Sequence, residues 1–173
     1  MNRYVNPVDV LGPDVAKRVE PLGNGRRYVR PGAWTLFASW LVDSMVVGVG
    51  VLAGTAALVT APTLDDGTVG VGVIALIFGV PLLYGVFYGN GRALGALLTG
   101  TRLVQLKDGG RPGFRGPWAM LVRVTLLPLL IIMFLVGSLN GGGTGSPPGS
   151  LRRGSMDVAP TYYLWAAEAA ANS

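Results

Sequence analysis

The sequence predicts an all-α membrane protein: a three-helix transmembrane bundle with a cytoplasmic N-terminus, kinked second and third helices and an interfacial C-terminal segment. Three observations carry that prediction. Half of the 173 residues are hydrophobic and only 13% are charged, about half the charge fraction of an ordinary soluble domain. Three long runs are almost free of charge, each near the ~20 residues that cross ~30 Å of hydrocarbon. The basic residues lie between those runs, where lysine and arginine orient a chain in a bilayer.

Residues 1–32 read as a polar cytoplasmic arm, broken by Pro7, Pro13, Pro21, Gly23 and Gly25. No uninterrupted apolar core follows Arg3, so the arm is not a secretory signal peptide. Residues 33–139 hold the bundle. Its first span, about 33–60, carries a single charge and is long enough to tilt. A turn at Ala61, Pro62, Asp65, Asp66 and Gly67 leads to the second span, about 68–88, where Gly79 and Pro81 predict a kink. The third span, about 118–136, has Arg123 near its start and Pro128 inside it. Residues 140–150 are a Gly/Pro/Ser linker, and 151–173 an interfacial tail with Tyr162, Tyr163 and Trp165 beside an alanine-rich turn.

Loop charge sets the orientation. Arg3, Lys17, Arg18, Arg26, Arg27 and Arg30 occupy the arm, and Arg92, Arg102, Lys107, Arg111 and Arg115 the second loop, whereas the first loop has only Asp65 and Asp66. The arm and second loop therefore belong inside, with Trp34 and Trp118 as anchors at the cytoplasmic interface and Trp165 as an anchor in the tail. A full third crossing puts the C-terminus outside. A hairpin bent at Pro128 returns it to the cytoplasm, as the Arg152–Arg153 pair suggests, and the two topologies stay open.

Composition narrows the chemistry. With no cysteine and no histidine, the chain has no disulfide, iron–sulfur cluster or thiolate zinc site, nor the usual haem and acid–base side chains. No serine triad of the usual kind can be built. Gly89-Asn90-Gly91 with Gly95 lacks the spacing and strand–helix context of a dinucleotide loop. The expectation is no enzyme, no cofactor and no metal. A net charge of +5 would suit nucleic acid if clustered on one face, but its position between apolar runs argues against that partner.

Asp43 is the most informative residue. It lies about nine residues, or ~13 Å, into the first span, where a charged aspartate costs at least ~2.5 kcal/mol. It must be paired, hydrated or neutralised. Ser39, Asp43, Val47, Gly50 and Gly54 share one small, polar stripe, which predicts a face turned toward protein. Arg123, about five residues into the third span, is the expected partner, its long stem bridging the remaining depth. Three readings follow: an ion pair clipping the first helix to the third, a substrate or ion site on Asp43, Arg123 and Ser39, or an arginine reaching for headgroups. The pairs Gly50/Gly54, Gly85/Gly89 and Gly91/Gly95 have the four-residue spacing that lets membrane helices pack closely.

Several blocks together resemble the RDD family of small bacterial membrane proteins, named for one arginine and two aspartates. Gly32-Ala33-Trp34-Thr35-Leu36-Phe37-Ala38-Ser39-Trp40-Leu41-Val42-Asp43 looks like the family's first helix; Gly91-Arg92-Ala93-Leu94-Gly95 with Gly100-Thr101-Arg102-Leu103-Val104 and Asp108-Gly109 is similar to its cytoplasmic loop. Arg123 matches the arginine near the start of its third helix, and Arg152 to Asp157, continuing through Ala159 and Thr161, looks like its closing motif. The resemblance implies Asp43 and Asp157 as the two family aspartates. It puts the family arginine at Thr35 or Leu36, neither basic, with Arg30 one to two turns earlier as the substitute. The closing motif is one residue short and has Pro160 where glycine is expected. It further implies a bacterial plasma membrane location, a closing motif on the cytoplasmic side, and a member that has kept the scaffold and lost transport. Two functions are expected on these grounds: an accessory or assembly subunit of a larger membrane complex, respiratory or envelope-related, or a small oligomeric cation or proton transporter using Asp43. The partners expected are the bilayer and other membrane subunits, with a homo-oligomer as the other assembly.

Overall fold

The computed structural model describes residues 5–111, 113–126 and 153–172, and it is mostly helical. Two short helices, α1 (Pro7–Leu11) and α2 (Pro13–Ala16), precede an antiparallel hairpin of β1 (Val19–Pro21) and β2 (Arg27–Val29). The long helices α3 (Ala33–Val59) and α4 (Asp66–Phe87) follow. Beyond a 3-10 turn at Tyr88–Asn90 come α5 (Leu94–Leu98), β3 (Thr101–Gln105) and α6 (Gly116–Leu121), the last leading into a π-helical turn at Val122–Leu126. Strand β4 (Arg153–Asp157) and helix α7 (Val158–Asn172) close the chain.

Helices α3 and α4 are long and apolar enough to cross a membrane, and only 17% and 11% of their most apolar windows are buried inside the protein. A core helix of a soluble domain would be mostly covered. Leu52, Val71, Leu83 and Phe87 all face outward. The turn between the helices is fixed by Asp65, which accepts the Thr68 amide at 2.9 Å and the Thr68 hydroxyl at 2.7 Å, satisfying orphan donors of the first turn of α4. Those bonds from Thr68 hold the Asp65 carboxyl below the usual carboxylate range.

Glycines set how closely the two helices approach. A Cβ on Gly50 would lie 3.0 Å from Val80, one on Gly54 2.7 Å from Leu76, and one on Gly72 2.7 Å from Leu58. These three contacts share one antiparallel register, so small residues on one helix receive branched side chains from the other. Helix α4 runs through Pro81 without a break. Gly85 serves the next interface: a side chain there would overlap Pro117 and press on Met120 at the start of α6.

At the end of the helical pair where α3 begins and α4 finishes, segments far apart in sequence build a cap. Strand β4 pairs antiparallel with β3, from Thr101↔Asp157 to Gln105↔Arg153. Leu22, Tyr28, Val104 and Met156 form the core beneath, with Leu106, Val158 and Trp165 against it. Helix α7 docks on β2: the Val29 amide donates to Thr161 Oγ1 at 2.9 Å, and Trp165 Nε1 donates to the Arg27 carbonyl at 2.6 Å. Arg27 Nε reaches Glu168 at 2.7 Å, and the Arg26 guanidinium lies 4.1 Å from the centre of a Trp165 ring. A second cluster of Tyr88, Ala93, Ala96 and Met120 joins the cap to the helices.

Several sequence expectations are corrected here. The fold is not purely helical, because β3 and the closing segment form a ladder whose halves are about fifty residues apart, too distant for local pattern to reveal. The arm contributes the β1–β2 hairpin to the cap, where α7 docks on it. The C-terminal segment is docked on β2, with Trp165 partly buried against the cap core. That segment lies at the same end of the helices as the 91–116 connection, since strand pairing ties Arg153 to Gln105, which removes the topology that puts the C-terminus at the opposite end. The third span of 118–136 is described only to Leu126, as α6 and the π-helical turn, so a three-helix bundle is not confirmed; Pro128, the linker at 140–150 and Arg152 lie outside the described residues.

The ladder can be tested directly. The Leu103 amide donates away from β4, to the Gly91 carbonyl at 2.8 Å, so Leu103 and Ser155 form a non-hydrogen-bonded pair, the closer kind with Cα atoms about 4.5 Å apart. In a chain with no native cysteine, Leu103→Cys with Ser155→Cys is expected to give a near-quantitative disulfide on mild oxidation. Leu103→Cys with Met156→Cys, one residue out of register and on the other face, is expected to stay reduced, as read by gel mobility after cleavage between the two positions.

Candidate functional site

The site grows from one buried acid. Asp43, in the third turn of α3, is 0% exposed and shares its buried stripe with Ser39 and Val47. Its Oδ1 accepts the Tyr84 hydroxyl at 3.0 Å and the Gly95 amide at 2.8 Å. The same Tyr84 oxygen accepts the Leu94 amide at 3.0 Å. The residue before α5 is Ala93, which has no side chain able to cap. The first amides of a helix have no partner within it; here Tyr84 and Asp43 supply the partners from two other helices. The carboxylate is thus a cap delivered across space.

Gly95 makes that approach feasible. A Cβ at this position would overlap the Ser39 carbonyl oxygen and lie 2.9 Å from Asp43 Cγ, so α5 can sit on α3 only where its side chain is a hydrogen. Gly91, which ends the preceding turn with φ 75°, plays a similar part, since any side chain there would meet the Leu103 carbonyl.

Arg123 comes in on the π-helical turn. Its Nη1 donates to the Tyr88 hydroxyl at 2.8 Å, its Nη2 donates to Ser39 Oγ at 2.8 Å, and Nη1 lies 3.6 Å from Asp43 Oδ2. Trp40 Nε1 donates to the Arg123 carbonyl at 3.1 Å, fixing the turn that carries it. Asp43 Oδ2 and Ser44 Oγ have no hydrogen-bond partner among the described residues; the first faces the guanidinium at ion-pair distance. Breaking such a buried pair from one side typically costs ~3–5 kcal/mol, because the remaining charge is left uncompensated.

The sequence-predicted residues divide into groups. Asp43, Arg123 and Ser39 come together. Asp157 is in the cap, with its Oδ2 3.6 Å from Arg18 Nη1, and Arg18 also donates to the Arg30 carbonyl at 3.1 Å. Arg30 turns to Glu20 at 3.5 Å and is well exposed, so it does not reach Asp43, and the arginine facing Asp157 is Arg18. Gly50, Gly54 and Gly85 lie in helix contacts, whereas a Cβ built on Gly89 would make an ordinary contact with the Gly113 carbonyl oxygen at 3.6 Å. Trp34 is 83% exposed and Trp118 56%. Tyr84 and Tyr88 carry no expectation from the sequence, and Gly95 one only for helix packing. The signal for the tyrosines is their i,i+4 spacing in a run otherwise without hydroxyls near its end, since a buried tyrosine needs a polar partner.

Burial pushes the Asp157 carboxyl up, and Arg18 pulls it partly back. The native state therefore holds this proton more tightly than the unfolded chain does. Its contribution to stability is fully present below the ordinary carboxylate value and is lost as pH rises through the raised native value. Arg18→Gln removes the opposing charge and is expected to deepen that loss, seen as a steeper fall of the cap's thermal midpoint from acid to neutral pH. At the buried acid, Gly95→Ala is expected to cost about 1–3 kcal/mol by overpacking, measured by unfolding in detergent. Asp43→Asn and Arg123→Gln combined are expected to cost less than the sum of the two alone, by about 1–3 kcal/mol of coupling. No known family model matches the chain, and no curated protein or solved structure is significantly similar to it.

Proposed function

We propose that this chain is a non-catalytic integral membrane protein of the bacterial plasma membrane, an accessory or assembly subunit of a larger membrane complex. The reading places α3 and α4 across the bilayer and the cap in the cytoplasm, in line with the arginine-rich connections and the Asp65–Asp66 turn at opposite ends of the pair. Membership of the RDD family belongs to the same proposal and rests on the sequence blocks around Asp43, Gly91–Gly95, Arg123 and Asp157.

The observation that carries it is the occupation of Asp43. Oδ1 accepts two hydrogen bonds that hold Tyr84 and α5 in place, and the guanidinium opposite is itself fastened to Tyr88 and Ser39. A carboxylate so tied acts as a brace, and the large apolar faces of α3 and α4 remain open to lipid or to neighbouring helices. A second reading, an oligomeric cation or proton transporter, draws on the one unbonded oxygen of the same group, Asp43 Oδ2.

The subunit reading predicts that the tagged chain stays in the membrane pellet through alkaline carbonate washing and, extracted in mild detergent, co-purifies with an assembly several times its own 18.0 kDa. Recovery only as a monomer or homo-oligomer would contradict it. Cation or proton flux in proteoliposomes that disappears with Asp43→Asn would establish the transporter in its place.

A further inference from the structure

The cap carries a set of basic side chains that no acid answers. Arg18, Arg27, Arg30 and Arg123 each lie within salt-bridge distance of a carboxylate. Arg92, Arg102, Arg111, Arg115 and Arg153 have no such partner among the described residues. Hydrogen bonds within the fold hold three of them, Arg102, Arg111 and Arg153, in place. The Asn90 carbonyl accepts Arg102 Nε at 3.2 Å, and Asn90 Oδ1 accepts Arg111 Nη1 at 3.4 Å. Arg153 Nη1 donates to the Arg115 carbonyl at 3.2 Å. Gly116 lies against Tyr88 and Gly89, a built Cβ meeting the Gly89 amide at 2.9 Å, so Arg115 adjoins the same turn. Asp108, three residues before Arg111, is turned to the Gly110 amide at 2.8 Å, and Asp157, four residues after Arg153, faces Arg18 at 3.6 Å.

Each guanidinium has five N–H donors in a planar fork, and the bonds just given use one apiece on Arg102, Arg111 and Arg153. The rest are suited to phosphate oxygens, which guanidinium binds in bidentate fashion. What distinguishes a lipid phosphate from a free one is the apolar rim. Leu94, Leu97 and Leu98 are 47%, 53% and 73% exposed and begin two residues after Arg92. Trp118, also exposed, follows Arg115 by three residues. A dissolved anion gains nothing from leucine and indole beside it, whereas a phospholipid lays its acyl chains there.

We propose that Arg92, Arg102, Arg111, Arg115 and Arg153, gathered around the Asn90 turn, bind the headgroup phosphate of an anionic phospholipid whose chains lie along α5 and Trp118. This rests on the membrane reading above.

The test uses the full chain in a non-ionic detergent. Its thermal midpoint is followed during titration with phosphatidylglycerol, with phosphatidylcholine of the same chains, or with inorganic phosphate. Arg92→Gln with Arg115→Gln is the informative variant, because neither side chain makes a hydrogen bond or ion pair among the described residues and the fold does not depend on them. Wild type is expected to respond to phosphatidylglycerol at concentrations about tenfold lower than to phosphatidylcholine, and the double variant to lose most of that preference. Equal response to the two lipids, an unchanged preference in the variant, or the same shift from inorganic phosphate overturns the proposal. A chain that is washed from membranes by carbonate defeats the membrane reading itself, while one that stays but ignores headgroup charge defeats only this inference.

Discussion

The arrangement depends on one carboxylate that has no water to turn to. Asp43 is fully buried, and its hydrogen bonds go to a tyrosine on α4 and a backbone amide on α5. A buried acid without partners is among the most costly features a fold can contain, so the sequence around it is constrained to supply donors. Tyr84 does so while accepting the Leu94 amide, Gly95 does so because it has no side chain, and Arg123 faces the remaining oxygen. Removing any of these leaves a polar group stranded. The acid therefore acts less as a reagent than as the point to which three separate segments are fastened.

That fastening explains why the cap can be built from such distant pieces. Helix α5 is too short to be stable alone and has no side-chain cap of its own; once held on α3 it sets the start of β3. Strand β3 then supplies the edge to which β4 adds, and β4 leads into α7, which clamps the N-terminal hairpin through Thr161, Trp165 and Glu168. The route from the apolar pair to the C-terminus thus passes through Asp43. Asp43 and Asp157 occupy different parts of this path: Asp43 holds α5 to the helices, and Asp157 closes the ladder opposite Thr101 and faces Arg18.

Much of the helical pair was legible in the sequence. The spans expected at 33–60 and 68–88 appear as Ala33–Val59 and Asp66–Phe87, because apolar runs of that length leave the backbone little choice. The meeting of Asp43 with Arg123 was also readable, since two charges in apolar runs have few alternatives to each other. The cap was not. Strands of three and five residues carry almost no periodic signal, and β3 finds its partner some fifty residues away. Trp165 reads as an interfacial anchor by composition alone; its partly buried place against the cap core, with contacts to Arg26 and Arg27, is not legible there. Gly95 was noted for its spacing with Gly91, but its function is to admit the Ser39 carbonyl and the Asp43 carboxylate, which no spacing rule conveys.

Everything in the cap follows from the Asp43 carboxylate holding the first turn of α5. Amide hydrogen exchange at Leu94 and Gly95 measures it most directly, comparing the native chain with Asp43→Leu while the β3–β4 amides serve as a fold control. A charge-assisted bond of ~1.5–3 kcal/mol corresponds to roughly ten- to hundredfold protection, so both amides should exchange slowly in the native chain and speed up by about that factor in the variant. Amides at 94 and 95 that exchange as fast as an unstructured loop in the native chain, or that are indifferent to the loss of the carboxylate, would contradict the account.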